Sequence, residues 1–485
     1  MNWTFEALLE GVAGVKITQG EGATPITSVA IDSRQTAPGG LFIAMKGTVS
    51  DGHRYIGDAL QRGAAALLVE RVPAEVPAEV PLAVMSGGRE TAAQVVRRFF
   101  DAPDEELSVV GITGTNGKTT VATLLRQAAE QMGTAAGSIG TLGIQWGGRH
   151  EPTITTTPDP VTLFGALRRM ADAGVRYVFM EVSSHALDQA RTAGIGFRGA
   201  VFTNISRDHL DYHPSMRDYI FTKKRLFDSL ASSAFALLNA DDRRWSVMAQ
   251  NTRAKVHTYG LHAAADFRGR LLAQTMEGLL MMVEGREVHF PLIGAYNASN
   301  VMAAYGVLRL LGVEADAALA ALSAARGAPG RMEMVRFQPL AVVDYAHTPD
   351  ALTKALAALA PLKRGKLWVV VGAGGDRDPG KRPMMAQAAV RGADRVILTS
   401  DNPRSEDPMH IIQQMLAGVS ADQRRRVIVQ PDRREAIHMA LALAAPDDII
   451  LVAGKGHETY QEVAGVRHPF DDRAVIRAWG GGSNA

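Results

Sequence analysis

Along most of the chain, short apolar runs alternate with stretches in which apolar positions recur every third or fourth residue, and this alternation predicts an α/β protein. Near the start, 29–31, 41–45 and 65–69 read as strands and 55–62 as a helix. The proline-spaced 72–81 reads as a surface loop, and the polar, proline-containing 101–106 as a domain boundary. Beyond it, the runs 107–111, 175–180 and 199–203 read as strands of a parallel sheet within a continuing βα alternation. The stretch 219–227 is helical, with Tyr219, Lys223 and Leu226 or Phe227 spaced to share a face. A long helix starts within 292–300 and runs through Leu311. From 334 onwards, 340–344, 367–372, 395–398 and 448–452 read as buried strands. The pattern predicts three α/β domains, 1–104, 105–333 and 334–485.

Composition narrows the function without naming it. A chain of 485 residues, 46% hydrophobic and 21% charged, suits several packed cores. Its 52 Lys and Arg against 50 Asp and Glu create no global field for nucleic acid, so a substrate is recognised locally. The absence of cysteine excludes disulfides, thiolate metal sites and a cysteine nucleophile. The N-terminus has no basic segment followed by an apolar one, and no apolar span approaches the roughly 18 residues that cross a membrane. The expectation is a soluble, unexported, cytoplasmic protein without membrane insertion or a nucleic-acid partner.

Candidate chemistry begins at 111–120, an apolar strand that runs through glycines 111, 114 and 117 into a helix. Backbone N–H groups and a helix N-terminus there converge on an anion, Lys118 adds a mobile positive charge, and Thr119 is placed to ligate Mg²⁺. Ile112 stands where the strict phosphate-loop pattern has glycine. Glu181 and His209, at the ends of strands beside that loop, read as Mg²⁺ ligands, although nitrogen is an unusual partner for magnesium. Lys223 shares its face with apolar residues, where the ordinary reading is a side chain snorkelling to solvent. Asn297 and Asn300 at a helix start have capping as their ordinary role. Asp32-Ser-Arg34 either lines a crevice or only turns the chain. In the last domain each strand ends in a polar cluster: 344–350, 374–378, 401–404 and 454–458. Four such clusters outline one binding crevice.

Together, Gly114-Thr-Asn-Gly-Lys-Thr-Thr120, Glu181-Val-Ser-Ser-His185, Asp208-His209, Gly330-Arg-Met-Glu333 and Asp344-Tyr-Ala-His347 resemble the motifs of the ATP-dependent Mur ligases of peptidoglycan synthesis. The resemblance runs through all three predicted domains, and the family's Gly-Thr-Asn-Gly-Lys-Thr loop accounts for Ile112. It implies a central phosphate-loop domain with a parallel mononucleotide-binding sheet, and a Rossmann-like C-terminal domain. By it, Ile31, Ser33, Thr48, Val49 and Ser50 hold a UDP-sugar, and Thr156, Thr157, Ser183, Gln189 and Arg191 the muramoyl-peptide. Gly114, Thr115, Asn116, Gly117, Lys118, Thr119 and Thr120 hold the ATP phosphates, while Asn300, Arg331 and Asp344 contact the nucleotide. Thr119 and Glu181 hold one Mg²⁺. Lys223, as an N6-carboxylysine formed with CO₂, and His209 hold a second.

The resemblance further implies a reaction: the D-glutamyl carboxylate of UDP-N-acetylmuramoyl-L-alanyl-D-glutamate is activated as an acyl phosphate and captured by an amine. Asp401-Asn-Pro-Arg404 looks like the signature for meso-diaminopimelate, with Arg377, Asp401, Asn402, Pro403, Arg404, Gly454 and Glu458 around it. An arginine fork pairs with a planar carboxylate, and lysine, lacking the far carboxylate, would leave Arg404 unpaired. Two alternatives stay open, the L-lysine-adding version of the ligase and a non-ligating nucleotide-dependent binding protein on the same scaffold. A monomer is the expected state.

Overall fold

The computed structural model describes residues 3–47, 50–74, 76–210 and 212–479. The chain falls into two compact units, Met1–Tyr259 with Ala263–Asp266 and Gly306–Val313, and Gly260–His262 with Phe267–Tyr305 and Glu314–Ala485.

Among the described residues the first unit contains a two-stranded ribbon, Trp3–Thr4 with Pro25–Ile26, and two larger sheets. The smaller of these two sheets runs Val15–Gln19, Leu82–Met85, Ala64–Val69, Gly40–Ala44, Ser28–Ala30, parallel except for its first pair. Its middle strands are apolar throughout because both faces are covered. Leu41, Ile43, Ala66 and Leu68 point into one core, and Phe42, Ala44, Leu67 and Val69 into another with Ile56 and Ala59. Ile31 lies just past its strand, and the expected helix is Ile56–Gln61 preceded by a 3-10 turn, Gly52–Tyr55.

The larger sheet of this unit runs Arg149–Glu151, Gly143–Trp146, Ala136–Gly140, Tyr177–Glu181, Ser108–Thr113, Gly199–Phe202, Phe235–Asn239, Lys255–Gly260. The strands from Ala136 onwards are parallel, whereas Gly143–Trp146 and Arg149–Glu151 form an antiparallel hairpin at the edge, which the expected βα alternation did not include. Register places Ile112 between Glu181 and Val201, so the ends of Ser108–Thr113 and Tyr177–Glu181 open on one sheet edge. In doubly wound sheets that edge carries ligands.

The second unit contains an antiparallel meander, Phe267–Gln274, Leu279–Val283 and Arg286–Phe290, a further departure from βα alternation. The long helix expected from within 292–300 is Tyr296–Leu310. A second sheet runs Glu333–Phe337, Leu340–Asp344, Ile449–Ala453, Leu367–Val371, Arg395–Leu398, Val427–Val429, parallel after its first pair. Helices cover both faces. Pro349–Leu359 and Lys381–Gly392 contribute Leu352, Leu356, Met385 and Ala389 to one core, and Arg433–Leu443 and Asp472–Ala478 contribute Ile437, Leu441, Val475 and Ile476 to the other.

Candidate active site

In the first unit the chain leaves Ser108–Thr113, crosses the 114–117 loop and enters the helix Lys118–Gln131. Gly114 (φ 148°) and Gly117 (φ 89°) adopt conformations that only glycine enters readily. A Cβ on Gly114 would lie 1.9 Å from Thr203 Oγ1, so the loop is pressed against the end of the adjacent strand. Thr203 Oγ1 donates to Asn116 O (2.6 Å), Asn116 N–H donates to Asn204 Oδ1 (3.1 Å), and Thr115 N–H donates to Asn204 O (2.8 Å). Lys118 Nζ donates to Gly114 O and Thr115 O at 2.9 and 2.8 Å. Thr203 and Asn204 thus shape the loop, and sequence reasoning missed that role.

Thr119 Oγ1 donates to Glu181 Oε2 at 2.9 Å, and Glu181 is buried. Thr141, also missed, holds the same carboxylate through its N–H to Oε1 (2.7 Å) and its hydroxyl to Oε2 (3.3 Å). Among the described residues no group of three or more His, Asp or Glu converges on one point. Mg²⁺ is characteristically held by one or two carboxylates together with phosphate oxygens, and the oxygen pair of Thr119 and Glu181 at a helix N-terminus fits that pattern.

Lys223 does not snorkel. Ser215 caps its helix, Met216–Asp228, by accepting from Asp218 N–H. The helix turns both lysines inward, but Lys224 pairs with Asp228 at 2.6 Å whereas Lys223 Nζ donates to Gly114 O at 2.9 Å. Lys223 Nζ stands 4.8 Å from the ring of Tyr219, whose hydroxyl meets Thr115 Oγ1 at 3.0 Å. Burial holds the Lys223 amine well below the usual lysine range, and the charge of Lys118 pushes the same way, which favours the neutral amine. A neutral amine is the form that adds to CO₂, so this environment fits a carbamate. His209 (φ 53°) lies beyond the strand Gly199–Phe202, its ring 6.1 Å from that of Tyr219 and 4.9 Å from that of His185, with Nε2 3.4 Å from Asp208 Oδ2.

A cavity of about 1000 Å³ in this unit is lined by Ile31, Ser33, Ser50, Gln189 and Arg191, and also by Arg89, which sequence reasoning did not select. Asp32 accepts from Arg34 N–H and pairs with its guanidinium, so this segment both turns the chain and lines the cavity. Arg191 donates to Gln189 Oε1 (2.7 Å) and Thr157 O (2.8 Å), and burial lowers its pKa. Thr156, Thr157 and Ser183 are not in the lining. Thr157 is fully buried, and its hydroxyl donates to Glu181 O (2.9 Å) and accepts from Ser183 N–H (3.1 Å), while Thr156 Oγ1 meets Thr141 Oγ1 at 3.2 Å. These residues brace the Glu181 strand end. Thr48 and Val49 lie outside the described residues.

In the second unit, Asp344 Oδ1 and Oδ2 accept from Ala346 N–H (2.9 Å) and Met332 N–H (2.8 Å), and burial raises its pKa. The Arg331 guanidinium stacks 4.4 Å from the Tyr345 ring centroid. Asn297 and Asn300 do not cap. Asn300 Nδ2 donates to Asn297 Oδ1 and Asn297 Nδ2 to Ile293 O, both at 2.7 Å in the interior.

The four polar clusters lie at the carboxyl ends of neighbouring strands. Arg404 (φ 53°) donates to Gly375 O at 2.5 Å and has Nε 3.9 Å from Glu462 Oε2. Asn402 Nδ2 donates to Glu458 Oε2 at 2.9 Å. Gly454 (φ 115°) is held so close to Asp401 that a Cβ would come within 2.4 Å of Oδ2. Arg377 is exposed, and Pro403 O lies against Gly375. Below the crevice, buried Arg433 pairs with buried Asp472 (2.7 Å) and donates to Ala453 O (3.0 Å) and Ser400 O (3.4 Å). Arg382 binds Glu406 at 2.6 and 2.8 Å, and Glu406 also accepts from Asp376 N–H (2.6 Å), which ties the second cluster to the third.

A glycine loop that opens a helix, backed by a hydroxyl and a carboxylate at one edge of a parallel sheet, defines a phosphate-loop, nucleotide-dependent enzyme. Family models match the Mur ligase catalytic domain over 25–99, the Mur ligase middle domain over 112–308 and the Mur ligase glutamate ligase domain over 330–456. The chain is 46% identical to a UDP-N-acetylmuramoyl-L-alanyl-D-glutamate--2,6-diaminopimelate ligase of Phocaeicola vulgatus, across 98% of each chain. Its identity to the enzyme of the same name from Geobacillus kaustophilus is 42%, across 97% of this chain and 98% of that one. A solved structure bearing that name superposes with a TM-score of 0.70 at 35% identity, covering 99% of this chain and 98% of the other. The chain belongs to the Mur ligase family, whose members are ligases that use ATP and Mg²⁺. No described helix is long and apolar enough to cross a membrane.

Proposed function

We propose that this chain joins meso-2,6-diaminopimelate to the D-glutamyl residue of UDP-N-acetylmuramoyl-L-alanyl-D-glutamate, with cleavage of ATP to ADP and phosphate, as a cytoplasmic monomer with domains 1–104, 105–333 and 334–485. The cavity around Ser33, Ser50, Gln189 and Arg191 takes the UDP-muramoyl-dipeptide. The 114–120 loop cradles the ATP phosphates, and Asn300, Arg331 and Asp344 contact the nucleotide. Thr119 and Glu181 hold one Mg²⁺, and carbamylated Lys223 with His209 a second; the bound ions supply neutralisation of the phosphates. The γ-carboxylate of the substrate attacks the γ-phosphorus and ADP leaves, giving an acyl phosphate. Lys118 stabilises the charge that develops as these two anions meet. The amine then attacks the acyl carbon, phosphate departs, and the nitrogen loses a proton.

The observation that carries the choice of amine is the crevice at 401–404. The Arg404 guanidinium is a fork for a carboxylate, and Glu458, which accepts from Asn402 of the same motif, is an acceptor for an ammonium. Together they suit the zwitterionic far end of diaminopimelate. Lysine would leave the Arg404 fork with no substrate carboxylate to pair with, only Gly375 O and, at 3.9 Å, Glu462, a mismatch that disfavours lysine. Phosphate release is measured with ATP and the UDP-muramoyl-dipeptide, adding each amine in turn. Faster turnover with lysine sinks the choice of amine, and no turnover with either sinks the ligase reading.

A further inference from the structure

The cluster at 454–458 contains a cation that the roles above leave unused. Lys455 is fully buried. Its Nζ donates to Asn402 Oδ1 at 2.8 Å and to Glu458 Oε2 at 3.2 Å, and stands 5.6 Å from the centroid of the Tyr460 ring. Asn402 Oδ1 accepts a second hydrogen bond from Glu462 N–H at 3.0 Å. Two donors on one oxygen fix the amide. Turned over, its NH₂ would face an ammonium and an N–H, donor against donor. With Oδ1 committed, Nδ2 is directed to Glu458 Oε2 and keeps one hydrogen for another acceptor. Glu458 Oε2 then carries two donors, which leaves Oε1 to receive a cation from outside.

From this geometry we infer that Lys455 is a positioning residue for the amine substrate: it locks the Asn402 amide and anchors the Glu458 carboxylate, so that the crevice offers a hydrogen-bond donor beside an acceptor to an amino-acid head group. The inference rests on the proposed ligase reading and deepens it. Lys455 does not touch the substrate. It acts through Asn402 and Glu458, which a buried, charge-assisted contact holds more firmly than a neutral one.

The test uses the full-length enzyme and follows phosphate release against each of the three substrates in turn. Lys455→Met keeps the length and apolar stem but removes the charge and the donors. The expected result is a rise of about tenfold or more in KM for diaminopimelate, with kcat within about threefold of wild type and KM for ATP and for the UDP-muramoyl-dipeptide unchanged. Combined with Asn402→Ala, Lys455→Met is expected to add little to the KM of Asn402→Ala alone, since the two act in one chain. An unchanged KM for diaminopimelate, a parallel rise in all three KM values, or full additivity with Asn402→Ala overturns the inference. Should Lys455→Met prove insoluble, Lys455→Ala, which also removes the charge and the donors, is held to the same KM criteria. A wild-type enzyme that uses no diaminopimelate overturns the proposed choice of amine and this inference with it, whereas a wild-type enzyme that uses it beside an unaltered Lys455 variant overturns only the inference.

Discussion

Thr119 Oγ1 and Glu181 Oε2 lie 2.9 Å apart, joined by a hydrogen bond across 62 positions of sequence. If that pair is a metal site, charge on Glu181 matters more than its hydrogen bonds. Glu181→Gln keeps an oxygen acceptor for Thr141 but removes the charge. The Mg²⁺ concentration for half-maximal turnover is expected to rise by about tenfold or more, with the thermal midpoint little changed. Titration of Mg²⁺ at saturating ATP checks this, and a wild-type Mg²⁺ dependence in the variant would remove Glu181 from the metal.

Lys223→Ala is expected to abolish ligation, and added bicarbonate is not expected to restore it, because no amine remains to take up CO₂. ¹³C-bicarbonate gives an independent readout by NMR: a carbamate carbon signal in the wild-type enzyme that Lys223→Ala lacks. Full activity in the variant takes the carbamate out of the mechanism.

Arg433 and Asp472 form a buried pair that also secures the carbonyls of Ser400 and Ala453, the residues just before two of the polar clusters. Removing one partner leaves an uncompensated charge in the interior, at a cost of about 3–5 kcal/mol. Arg433→Met is therefore expected to lower the urea midpoint strongly, and adding Asp472→Leu to recover part of the loss. A single variant as stable as wild type would show that the pair is dispensable.

Glu406 gives a pH dependence with a definite sign. The Arg382 guanidinium beside it, helped by the Asp376 N–H, lowers its pKa from 4.5 to about 2. A carboxylate depressed in the folded state contributes stability that is fully present above pH 4.5 and is lost as pH falls through about 2. Glu406→Gln lacks that contribution at every pH. The difference between wild type and variant in urea midpoint is expected to be constant above pH 4.5 and to shrink towards pH 2. A difference that grows in acid contradicts the assignment.

Much of this arrangement is legible in the sequence where a local pattern decides the outcome. The runs 41–44, 65–69, 367–371 and 449–452 are apolar at every position because both faces of those strands are covered, and they are strands. Direction is another matter. Leu279–Val283 is as apolar as a parallel core strand, yet it pairs antiparallel on both sides, because direction depends on partners that the local pattern does not name. Lys223 shows the same limit at the level of a side chain. Its spacing places it on the apolar face, but whether the amine turns to solvent or inward is decided by the Gly114 carbonyl, which is distant in sequence. Thr141 sits in an ordinary-looking stretch, and Lys455 lies inside a polar cluster without a role of its own there; both roles become visible only when the carboxylates they hold are in place.

The contact between Gly114 and Thr203 ties two distant positions into one choice. A methyl group at 114 meets the Thr203 hydroxyl at 1.9 Å, and trimming Thr203 to make room removes the oxygen that donates to Asn116 O. Room at 114 comes only with loss of the Thr203 hydrogen bond, so the first single mutational step from this pair leads downhill whichever position changes. Drift in descendants of this chain is expected to leave both positions untouched while the surface around them changes.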